Sequence, residues 1–599
     1  MWDTHVDGAV LNLNQRGLFL HVSDKLGVGH INLHAFLNDV VDHLDTIDRE
    51  HALYIIFGVE VSAGAAAQGG AITGTASMIV TGASVLTMDG DRPTAEAIAL
   101  QGDRILAVGS NDEILQFANA STKRIDATGM TLTPGFIDAH SHPLFAEEAV
   151  GVNVNLRRID DVKDALAGKA ANTPPGHWVR GVMYDDTKFE DERPLNRNDI
   201  DDAVSDHPVY VGHRGGHTGV VNSMAFEIAG IDNDTPDPEG GRYFREDGEL
   251  TGKVAEHARQ AFFDVGTWPV MDRAVRQKSA TISSQNMAAA GLTSTTDAYG
   301  SYEDLVAYQD ARDAGELYFR LSFMPGGNGK VYEGLKLAGM RSGFGDNMLR
   351  IGAVKFAADG SASERTMYMS TPYEGTDDHG ILTMSQEQIY DAVDDAVAHG
   401  FRVGIHANGD LTIEMVLNAY ERVLKNHTGP NPRHRIEHCS LINKSLLARI
   451  KAAGVIPAPF YTYAHYHGNK WVDYGEAKME LMFAHRSFLD AGIPVAPASD
   501  YTPGPYEPMM AIQSMVTRKD VRGRVWGPSQ RISVTEAMRI CTMHGAYASF
   551  EEDLKGSLVP GKLADFVILE KDPHDVDPDS IVDIKIVRTV LGGLTVYEA

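Results

Sequence analysis

Short apolar strands alternate with helical stretches through most of the chain, from about residue 135 to about residue 555. The strand segments include LRIGAVKFAADG, FRVGIHANGD, RHRIEHCSLI and GIPVAPASD. Alternation over this length predicts a parallel α/β fold, either an open doubly wound sheet or a (β/α)8 barrel. No Gly-x-Gly-x-x-Gly motif follows a strand and opens a helix, so a dinucleotide-binding fold has no support.

Strands of another kind are predicted on both sides of this region. The segments SMIVTGASVLTMD and EAIALQGDRILAVG precede it, and ADFVILEKDP and KIVRTVLGGLTVYE follow it. We expect residues 77–134 and 556–599 to form one small β-sandwich domain. Residues 1–76 are a predicted N-terminal extension, with an amphipathic helix at 31–50 and a Gly/Ala linker at 63–76.

The composition argues against several classes of partner. The 599 residues are 43% hydrophobic and 23% charged, which is ordinary for a soluble globular protein. The net charge of -29 argues against nucleic acid and anionic membranes, since both attract basic surfaces. No apolar stretch reaches the roughly 18–20 residues of a membrane-spanning helix. We therefore expect a small-molecule substrate, with no nucleic-acid or membrane partner.

The cellular location is less constrained by the sequence. The first residues carry no basic region like that of a signal peptide. An internal run, ALYIIFGVEVSAGAAAQGGA at 52–71, has an apolar core and a small-residue tail like the end of one, but it contains Glu60. We expect a cytoplasmic protein and leave a periplasmic location open.

Metal-competent side chains lie at the carboxyl ends of predicted strands. The motif PGFIDAHSHP puts His140 and His142 two residues apart, which places both imidazoles on one face of a strand. Such a pair can bind one metal ion, or can be two surface histidines. The other candidates at strand ends are Lys355, His406, His438 and Asp500. In a barrel all carboxyl ends of the strands open on one face, so these side chains would converge.

The spacing of the candidates fits barrel strands 1, 4, 5, 6 and 8. One strand–helix unit takes roughly 30 residues in a barrel of typical size, and 32 residues separate His406 from His438. The 213 residues between His142 and Lys355 exceed what three units need by about a hundred. We therefore expect a barrel domain at 135–555 with an insertion at about 151–290.

These motifs resemble those of the metal-dependent amidohydrolase superfamily, and within it the branch that includes N-substituted formamide deformylase. The resemblance rests on six motifs in the family's order: PGFIDAHSHP, VKFAADGS, IHANGD, RIEHCSLI, ASDYTP and GSLVPGKLADFVILEKDP. The segments GLTSTTD, HTGVVNSMAFEIAGI and DGELTGKVAE are similar to that branch's early barrel and insertion. Together the matching segments span about residues 78–599.

The resemblance implies a (β/α)8 TIM barrel with a binuclear metal site. The implied ligands are His140, His142 and Asp500 for the more buried ion, His406 and His438 for the second, and a carbamylated Lys355 bridging the two. An ammonium has no lone pair, whereas a carbamate offers two oxygens. The alternative is an unmodified Lys355 paired with Asp359 or Asp500, which would leave one metal.

Zinc is the expected metal, because it favours imidazole and carboxylate ligands at an open site. Manganese, iron or cobalt are alternatives. The two cysteines, Cys439 and Cys541, allow neither a disulfide framework nor a cysteine-based zinc site. Many members of the superfamily oligomerise, so a homo-oligomer is open, and no sequence feature fixes the number of subunits.

The implied reaction is hydrolysis of a non-peptide C–N bond, of amide or N-formyl type, by metal-bound hydroxide with Asp500 as proton shuttle. Deamination is an alternative, but related deaminases carry a glutamate three residues after the fifth-strand histidine, where this chain has Gly409. Esters and lactones stay open because the same hydroxide would attack them. Outside enzymes, the alternative is a binding protein on an inactive barrel, but the ligand set has no break.

Substrate contacts are predicted in the insertion, at Tyr184, Arg214 and His217. In the related branch the histidine that matches His217 lies near the site, and a structural role in a turn is the alternative. The segment 459–475 follows the seventh predicted strand and is rich in Tyr and His. It would form either an aromatic wall of the substrate site or a packed lid.

Overall fold

The computed structural model describes residues 74–599, apart from 145–148 and 192, and the backbone of three short strands before them. The chain divides into two compact units, Met1–Thr73 and Gly74–Ala599. The strands of the first unit form one antiparallel sheet, and they are β1 (Ala9–Asn14), β2 (Gly17–Val22) and β3 (His30–Asn32). The helix predicted at 31–50 is wrong at its first two residues, which belong to β3. The rest of that helix and the predicted linker up to residue 73 lie outside the described residues.

The second unit begins with short strands rich in β-branched residues. They are β4 (Met78–Thr81), β5 (Ser84–Leu86), β6 (Thr94–Ala95), β7 (Ala97–Gln101), β8 (Arg104–Gly109), β9 (Lys123–Asp126) and β10 (Thr131–Pro134), with helix α1 (Asn111–Leu115) before β9. Four of them form a sheet in the order β8-β7-β4-β9. The hairpin between β7 and β8 turns at Gly102, whose φ of +60° suits a residue without a Cβ.

A sheet of its own, called the insertion below, lies in the sequence between the paired strands β11 (Phe136–Ser141) and β18 (Leu292–Gly300). Its strand order is β12-β13-β14-β15-β17-β16. The elements of this stretch are β12 (Val152–Asn153), α2 (Ile159–Ala170), β13 (Val179–Tyr184), α3 (Arg197–Ala203), β14 (Val209–His213), β15 (Thr218–Val221), α4 (Ser223–Ala229), β16 (Gly241–Glu246), β17 (Glu249–Glu256), α5 (Gln260–Phe263) and α6 (Arg273–Ala289).

After β18, strands and helices alternate, as the sequence pattern predicts. The elements are α7 (Tyr302–Asp313), β19 (Arg320–Pro325), α8 (Lys330–Leu337), β20 (Leu349–Ile351), β21 (Val354–Ala357), α9 (Gln386–Ala398), β22 (Val403–Ala407), α10 (Asp410–Leu424), β23 (Arg435–His438), α11 (Lys444–Ala453), β24 (Ile456–Ala458), α12 (Tyr463–Tyr466), α13 (Gly475–Met479), α14 (His485–Asp490), α15 (Pro508–Thr517), α16 (Val534–Arg539) and α17 (Gly545–Ala548). Several helices start at a capping box, such as Ser301 with Asp304 at α7.

Two parallel sheets carry these strands, in the orders β11-β18-β19-β20 and β21-β22-β23-β24. A parallel bridge between Gly326 and Lys355 connects the end of β19 to β21. Another parallel bridge joins Phe460, after β24, to Ala498. The segment around Ala498 in turn pairs with β11, because the Ala139 N–H donates to the Pro497 carbonyl at 2.7 Å. The fold is thus α/β, and its parallel strands follow one another in hydrogen-bonded contact.

The last strands return to the first ones of the second unit. They are β25 (Phe566–Leu569), β26 (Ile586–Leu591) and β27 (Leu594–Glu598). β25 pairs antiparallel with β10, and the sheet order is β27-β26-β25-β10-β5-β6. Both ends of this unit therefore contribute to one sheet.

The main apolar core lies between the parallel strands and their helices. Val354 and Ile405 on strands and Val416 on α10 are fully buried within it, and each such side chain contributes about 1.5–3 kcal/mol by leaving water. Within the described parts of the chain, no helix combines the length and the apolar character that crossing a membrane requires.

Candidate metal centre

Two histidines and an aspartate meet where β11 ends. His140 lies on β11 and is fully buried, while His142 follows the strand and keeps 40% of its side chain exposed. The Nε2 atoms of both rings lie 3.4 Å from Oδ1 of Asp500. A backbone hydrogen bond holds the two segments together, because the Asp500 N–H donates to the His140 carbonyl at 2.9 Å.

His406 and His438 lie at the ends of the neighbouring strands β22 and β23. The ring centroid of His438 lies 4.5 Å from that of His406 and 4.6 Å from that of His140. Nε2 of His406 lies 3.0 Å from the Gly360 carbonyl, which only accepts hydrogen bonds, and 2.9 Å from Nδ2 of Asn408, which only donates them. Burial lowers the pKa of both His406 and His438 well below the usual value, which favours the neutral ring that can bind a metal.

Lys355 on β21 is buried and its Nζ lies 3.3 Å from Nε2 of His140. Burial lowers the pKa of this lysine to about 8, although Glu437 and Asp500 raise it. No carboxylate oxygen among the described residues lies within 4.0 Å of its Nζ, so the structure contains neither of the ion pairs considered for an unmodified lysine. Asp359 instead accepts the backbone N–H groups of Asn408 and Gly409, both at 2.9 Å.

These side chains suit a divalent metal. One ligand atom from each of His140, His438 and Asp500 lies within 4.8 Å of the other two. Nδ1 of His438 is buried and has no hydrogen-bond partner among the described residues, which is costly unless something binds there. Imidazole nitrogens with a carboxylate are typical ligands of zinc and related ions.

Asp500 combines burial with strong local charge. Burial raises its pKa, but His438 and the hydrogen bonds with His140 and His142 outweigh this and hold the pKa well below the usual value. The Tyr463 hydroxyl donates to Oδ2 of Asp500 at 3.0 Å. His438 and Asp500 also have positive φ angles, +69° and +54°. Such backbone costs roughly 1–3 kcal/mol and is typical of functional sites.

A buried ion pair orients His140, and its members lie in the motif RIEHCSLI, of which only His438 is a predicted ligand. Nδ1–H of His140 donates to Oε2 of Glu437 at 2.5 Å. Arg435 binds both oxygens of Glu437, with Nε and Nη2 at 2.7 Å. With Nδ1 thus engaged, Nε2 of His140 faces Asp500. The sequence does contain a signal for this pair. An arginine and a glutamate stand two residues apart on a strand that is buried on both faces, so each charge needs the other as its partner.

A cavity of about 1230 Å³ opens above these residues. Its lining includes His142, Lys355, His406, His438 and Asp500, together with His217 and Arg214 of the insertion. The ring centroid of His217 lies 4.9 Å from that of His406.

Arg214 and Tyr184 have different surroundings. Arg214 donates from Nη1 to the Tyr466 hydroxyl at 2.6 Å and from Nη2 to the Thr502 carbonyl at 2.7 Å, so it connects α12 to the loop of Thr502 while it lines the cavity. Tyr184 is buried in the core of the insertion, where its hydroxyl accepts the Leu195 N–H at 3.0 Å. Tyr184 is not among the residues that line the cavity.

The aromatic segment 459–475 packs behind the centre. Phe460 stacks on His438 with centroids 4.4 Å apart, and Tyr463 stacks on Phe460 at 3.7 Å. Trp471 and Tyr474 are buried in the same cluster. No residue of this segment lines the cavity. The rings therefore support the histidine from the rear, as a packed lid would, and form no wall of the cavity.

A second group, Asp185, Asp186 and His213, also has ligand-type atoms within 4.8 Å of one another. Cations already accompany its carboxylates. Nζ of the buried Lys470 lies 3.1 Å from Oδ1 of Asp185, and Arg365 pairs with Asp186. The group is thus an ion-pair network that joins the insertion to the loops after β21 and β24.

Comparison with known proteins identifies the family of the chain. The amidohydrolase family model matches residues 123–597. The chain is 28% identical over 544 residues to N-substituted formamide deformylase of Arthrobacter pascens, covering 87% of this chain and 98% of that protein. It is also 28% identical over 537 residues to the putative amidohydrolase YtcJ of Bacillus subtilis, covering 86% and 98%.

Among solved structures, an uncharacterized metal-dependent hydrolase from Pyrococcus furiosus matches with a TM-score of 0.64 and 22% identity, over 83% of this chain and 100% of that one. A similar protein from Pyrococcus horikoshii matches with a TM-score of 0.66 and 21% identity, over 84% and 99%. At these identities the likeness concerns the fold. The family match spans most of the chain and contains every candidate ligand, so the chain belongs to the amidohydrolase family, the hydrolases that act on carbon–nitrogen bonds other than peptide bonds.

Proposed function

We propose that this amidohydrolase cleaves an amide or N-formyl group of a small molecule and binds two divalent metal ions, most simply zinc. One observation carries the proposal: His140, His438 and Asp500 bring ligand atoms within 4.8 Å of one another, and His438 and Asp500 line a large cavity. The N-substituted formamide deformylase of Arthrobacter pascens, to which the chain is similar over most of its length, supports the choice of bond.

The ligands would be His140, His142 and Asp500 for one ion and His406 and His438 for the other, with Lys355 as a bridging carbamate. Lys355 supports this because its amine is buried, has no carboxylate oxygen of the described residues within 4.0 Å and has a lowered pKa, so the neutral, nucleophilic amine is accessible near neutral pH. A bound divalent metal supplies acidified water and polarises a carbonyl.

Asp500 would move the proton. Its carboxylate lines the cavity and stays ionised, so it can accept a proton from the attacking water. It would pass that proton to the departing nitrogen, which must be protonated to leave. Tyr463, which donates to Oδ2, would hold the carboxylate in place through this transfer.

We further propose that the parallel strands close into a (β/α)8 barrel. The strands in succession would be β11, β18, β19, β21, β22, β23, β24 and the segment around Ala498. The bridges at Gly326 and Phe460 and the hydrogen bond from Ala139 to Pro497 support this closure. The sheet of β12 to β17 would then be the insertion after the first strand, and the sheets of β4–β10 with β25–β27 the accompanying β-sandwich.

The proposal is tested by screening a panel of N-formyl amines, amides, esters, lactones and aminopyrimidines. Each compound is assayed with enzyme from which a chelator has removed the metal and with the same enzyme reloaded with zinc. We expect hydrolysis of amides or N-formyl amines that is lost on stripping and restored by zinc. We expect Asp500→Asn to lower the rate by roughly 10²–10⁴-fold, while Asp490→Asn, at an exposed carboxylate paired with Arg486, keeps it. Turnover of esters or aminopyrimidines alone would contradict the proposal.

A further inference from the structure

Two arginines of the insertion line the cavity, Arg214 after β14 and Arg259 after β17. An arginine keeps its charge at every physiological pH, and a charge that is largely removed from water normally has a partner of opposite sign. No carboxylate oxygen among the described residues lies within 4.0 Å of either guanidinium. The insertion therefore presents positive charge to the cavity that the described part of the chain does not neutralise by an ion pair.

The two arginines differ in how far the guanidinium is already used. Both terminal nitrogens of Arg214 donate to protein oxygens, and the residue is only 8% exposed. Arg259 is half-buried. It donates from Nε to the Glu256 carbonyl at 3.3 Å, and the Tyr210 hydroxyl lies beside its guanidinium. A carbonyl and a hydroxyl fix the orientation of Arg259 without neutralising it, so this arginine is the one that can receive an anion.

Two acidic side chains act on Arg259 over longer distances, and both are bound elsewhere. The carboxylate of Glu256 lies 2.8 Å from Nδ1 of His217 and accepts from the Thr366 hydroxyl at 2.8 Å. Glu364 accepts the His217 N–H at 3.1 Å. Neither carboxylate can turn toward Arg259 without losing these hydrogen bonds, so the position beside the guanidinium stays available to a bound molecule.

Another part of the cavity wall carries the opposite charge. Glu333 on α8 and Asp391 and Asp395 on α9 line it, and Lys336 pairs with Glu333 and Asp395, both at 2.8 Å. The net charge of -29 is spread over the molecule, and salt screens charges that lie beyond about 8 Å. Local side chains therefore decide where an acidic group settles, and among these it is Arg259 that attracts one.

We propose that Arg259 binds a carboxylate group of the substrate, so that the amide or N-formyl compound cleaved here is also an acid. The inference rests on the proposed function and names its substrate class. Arg259 is close enough to the metal centre for this role, because Glu256, which it contacts, also contacts His217, and the His217 ring lies 4.9 Å from that of His406. Arg259 determines which amide binds and takes no part in cleaving the bond.

The kinetic test compares N-formyl and N-acetyl amino acids with their carboxamides, in which a neutral group of similar shape replaces the carboxylate. Zinc-loaded wild type, Arg259→Gln and Arg259→Lys are assayed by release of the amine. Losing hydrogen bonds to a charged group costs roughly 10- to 100-fold. We therefore expect the ratio of kcat/KM for acid over carboxamide to fall by this factor in Arg259→Gln and by less in Arg259→Lys. The ratio cancels any loss of folded enzyme. Arg273→Gln, at an exposed arginine paired with Asp310, is the matched control and should keep the wild-type ratio.

A binding test needs no turnover. Calorimetry on the zinc-loaded enzyme compares the product amino acids with their carboxamides, and we expect the wild type to bind the acids roughly 10- to 100-fold more tightly. Arg259→Gln should lose this preference. A preference that persists in Arg259→Gln would mean that the metal binds the carboxylate, and equal binding of both compounds to the wild type would mean that there is no anion site. Either result overturns the inference. If the wild type cleaves no amide but its preference for acids depends on Arg259, the proposed function fails and the anion site stands.

Discussion

Nε2 of His140 lies close to two other candidate ligands, 3.4 Å from Oδ1 of Asp500 and 3.3 Å from Nζ of Lys355. It faces them because Nδ1 is bound to Glu437, which is itself clamped by Arg435. The ion pair is fully buried, so turning the histidine would break a buried hydrogen bond to a charged group. The orientation of one ring therefore depends on two residues that need not touch a metal.

We predict that Glu437→Gln weakens metal binding by roughly 10- to 100-fold, because the amide orients His140 less strongly and leaves Arg435 without its counter-charge. Competition with a fluorescent chelator measures the affinity. Glu421→Gln is the matched control, since Glu421 also binds an arginine, Arg449, but at the surface. Equal affinities in both variants and the wild type would show that Glu437 does not position the ligand.

The sequence could indicate the candidate ligands because most of them lie at or just after the end of a strand, whereas Lys355 is the second residue of β21. Parallel strands have their carboxyl ends on one edge, so residues far apart in the chain converge there. Asp500 shows the limit of this reasoning: it follows an isolated bridge at Ala498 and belongs to no assigned strand. Tyr184 shows another limit. It is the last residue of β13 and its side chain lies in the core of the insertion, but the sequence does not say which face of β13 packs against that core.

At the scale of elements, buried ions hold the insertion against the loops of the parallel strands. Lys470 reaches Asp185 from a segment 285 residues away in the chain. Glu364, after β21, accepts the N–H groups of His217 at 3.1 Å and Thr218 at 2.6 Å. No local pattern in the sequence predicts such contacts, because they depend on how separate elements pack.

We predict that Lys470→Met destabilises the protein by about 3–5 kcal/mol, since it leaves Asp185 buried without its nearest cation. Equilibrium unfolding in denaturant, followed by circular dichroism, measures the change. Lys478→Met offers a comparison, because this lysine faces the exposed Glu374 at 3.8 Å and should cost below 1 kcal/mol. Equal stabilities of the two variants would mean that the network does not anchor the insertion.

For the whole molecule, the strands at the two ends of the second unit form one sheet, and a buried ion pair ties this sheet to β19. Arg320 on β19 donates to Asp565 from Nε at 2.6 Å and from Nη2 at 2.8 Å. Asp565 precedes β25 and also accepts the Gly592 N–H at 2.7 Å. The periodicity of the strands predicts the sheet, but it does not predict which of its charged side chains pair with residues of the parallel strands.

We predict that Asp565→Ala costs about 3–5 kcal/mol, because Arg320 would stay buried without its partner. Thermal unfolding followed by calorimetry measures the loss. Asp579→Ala serves for comparison, since Asp579 pairs with Lys519 at the surface and should cost below 1 kcal/mol. A melting temperature of Asp565→Ala equal to that of the wild type would contradict this role.

In the proposed centre, six residues from distant parts of the chain would hold two metal ions, with Lys355 between the ions. Elemental analysis of metal per chain, on wild type and on Lys355→Ala purified with zinc and bicarbonate, tests it most directly. We predict two ions per chain in the wild type and one or none in Lys355→Ala. One ion per chain in both proteins would contradict the bridge, and no metal in either would contradict the site itself.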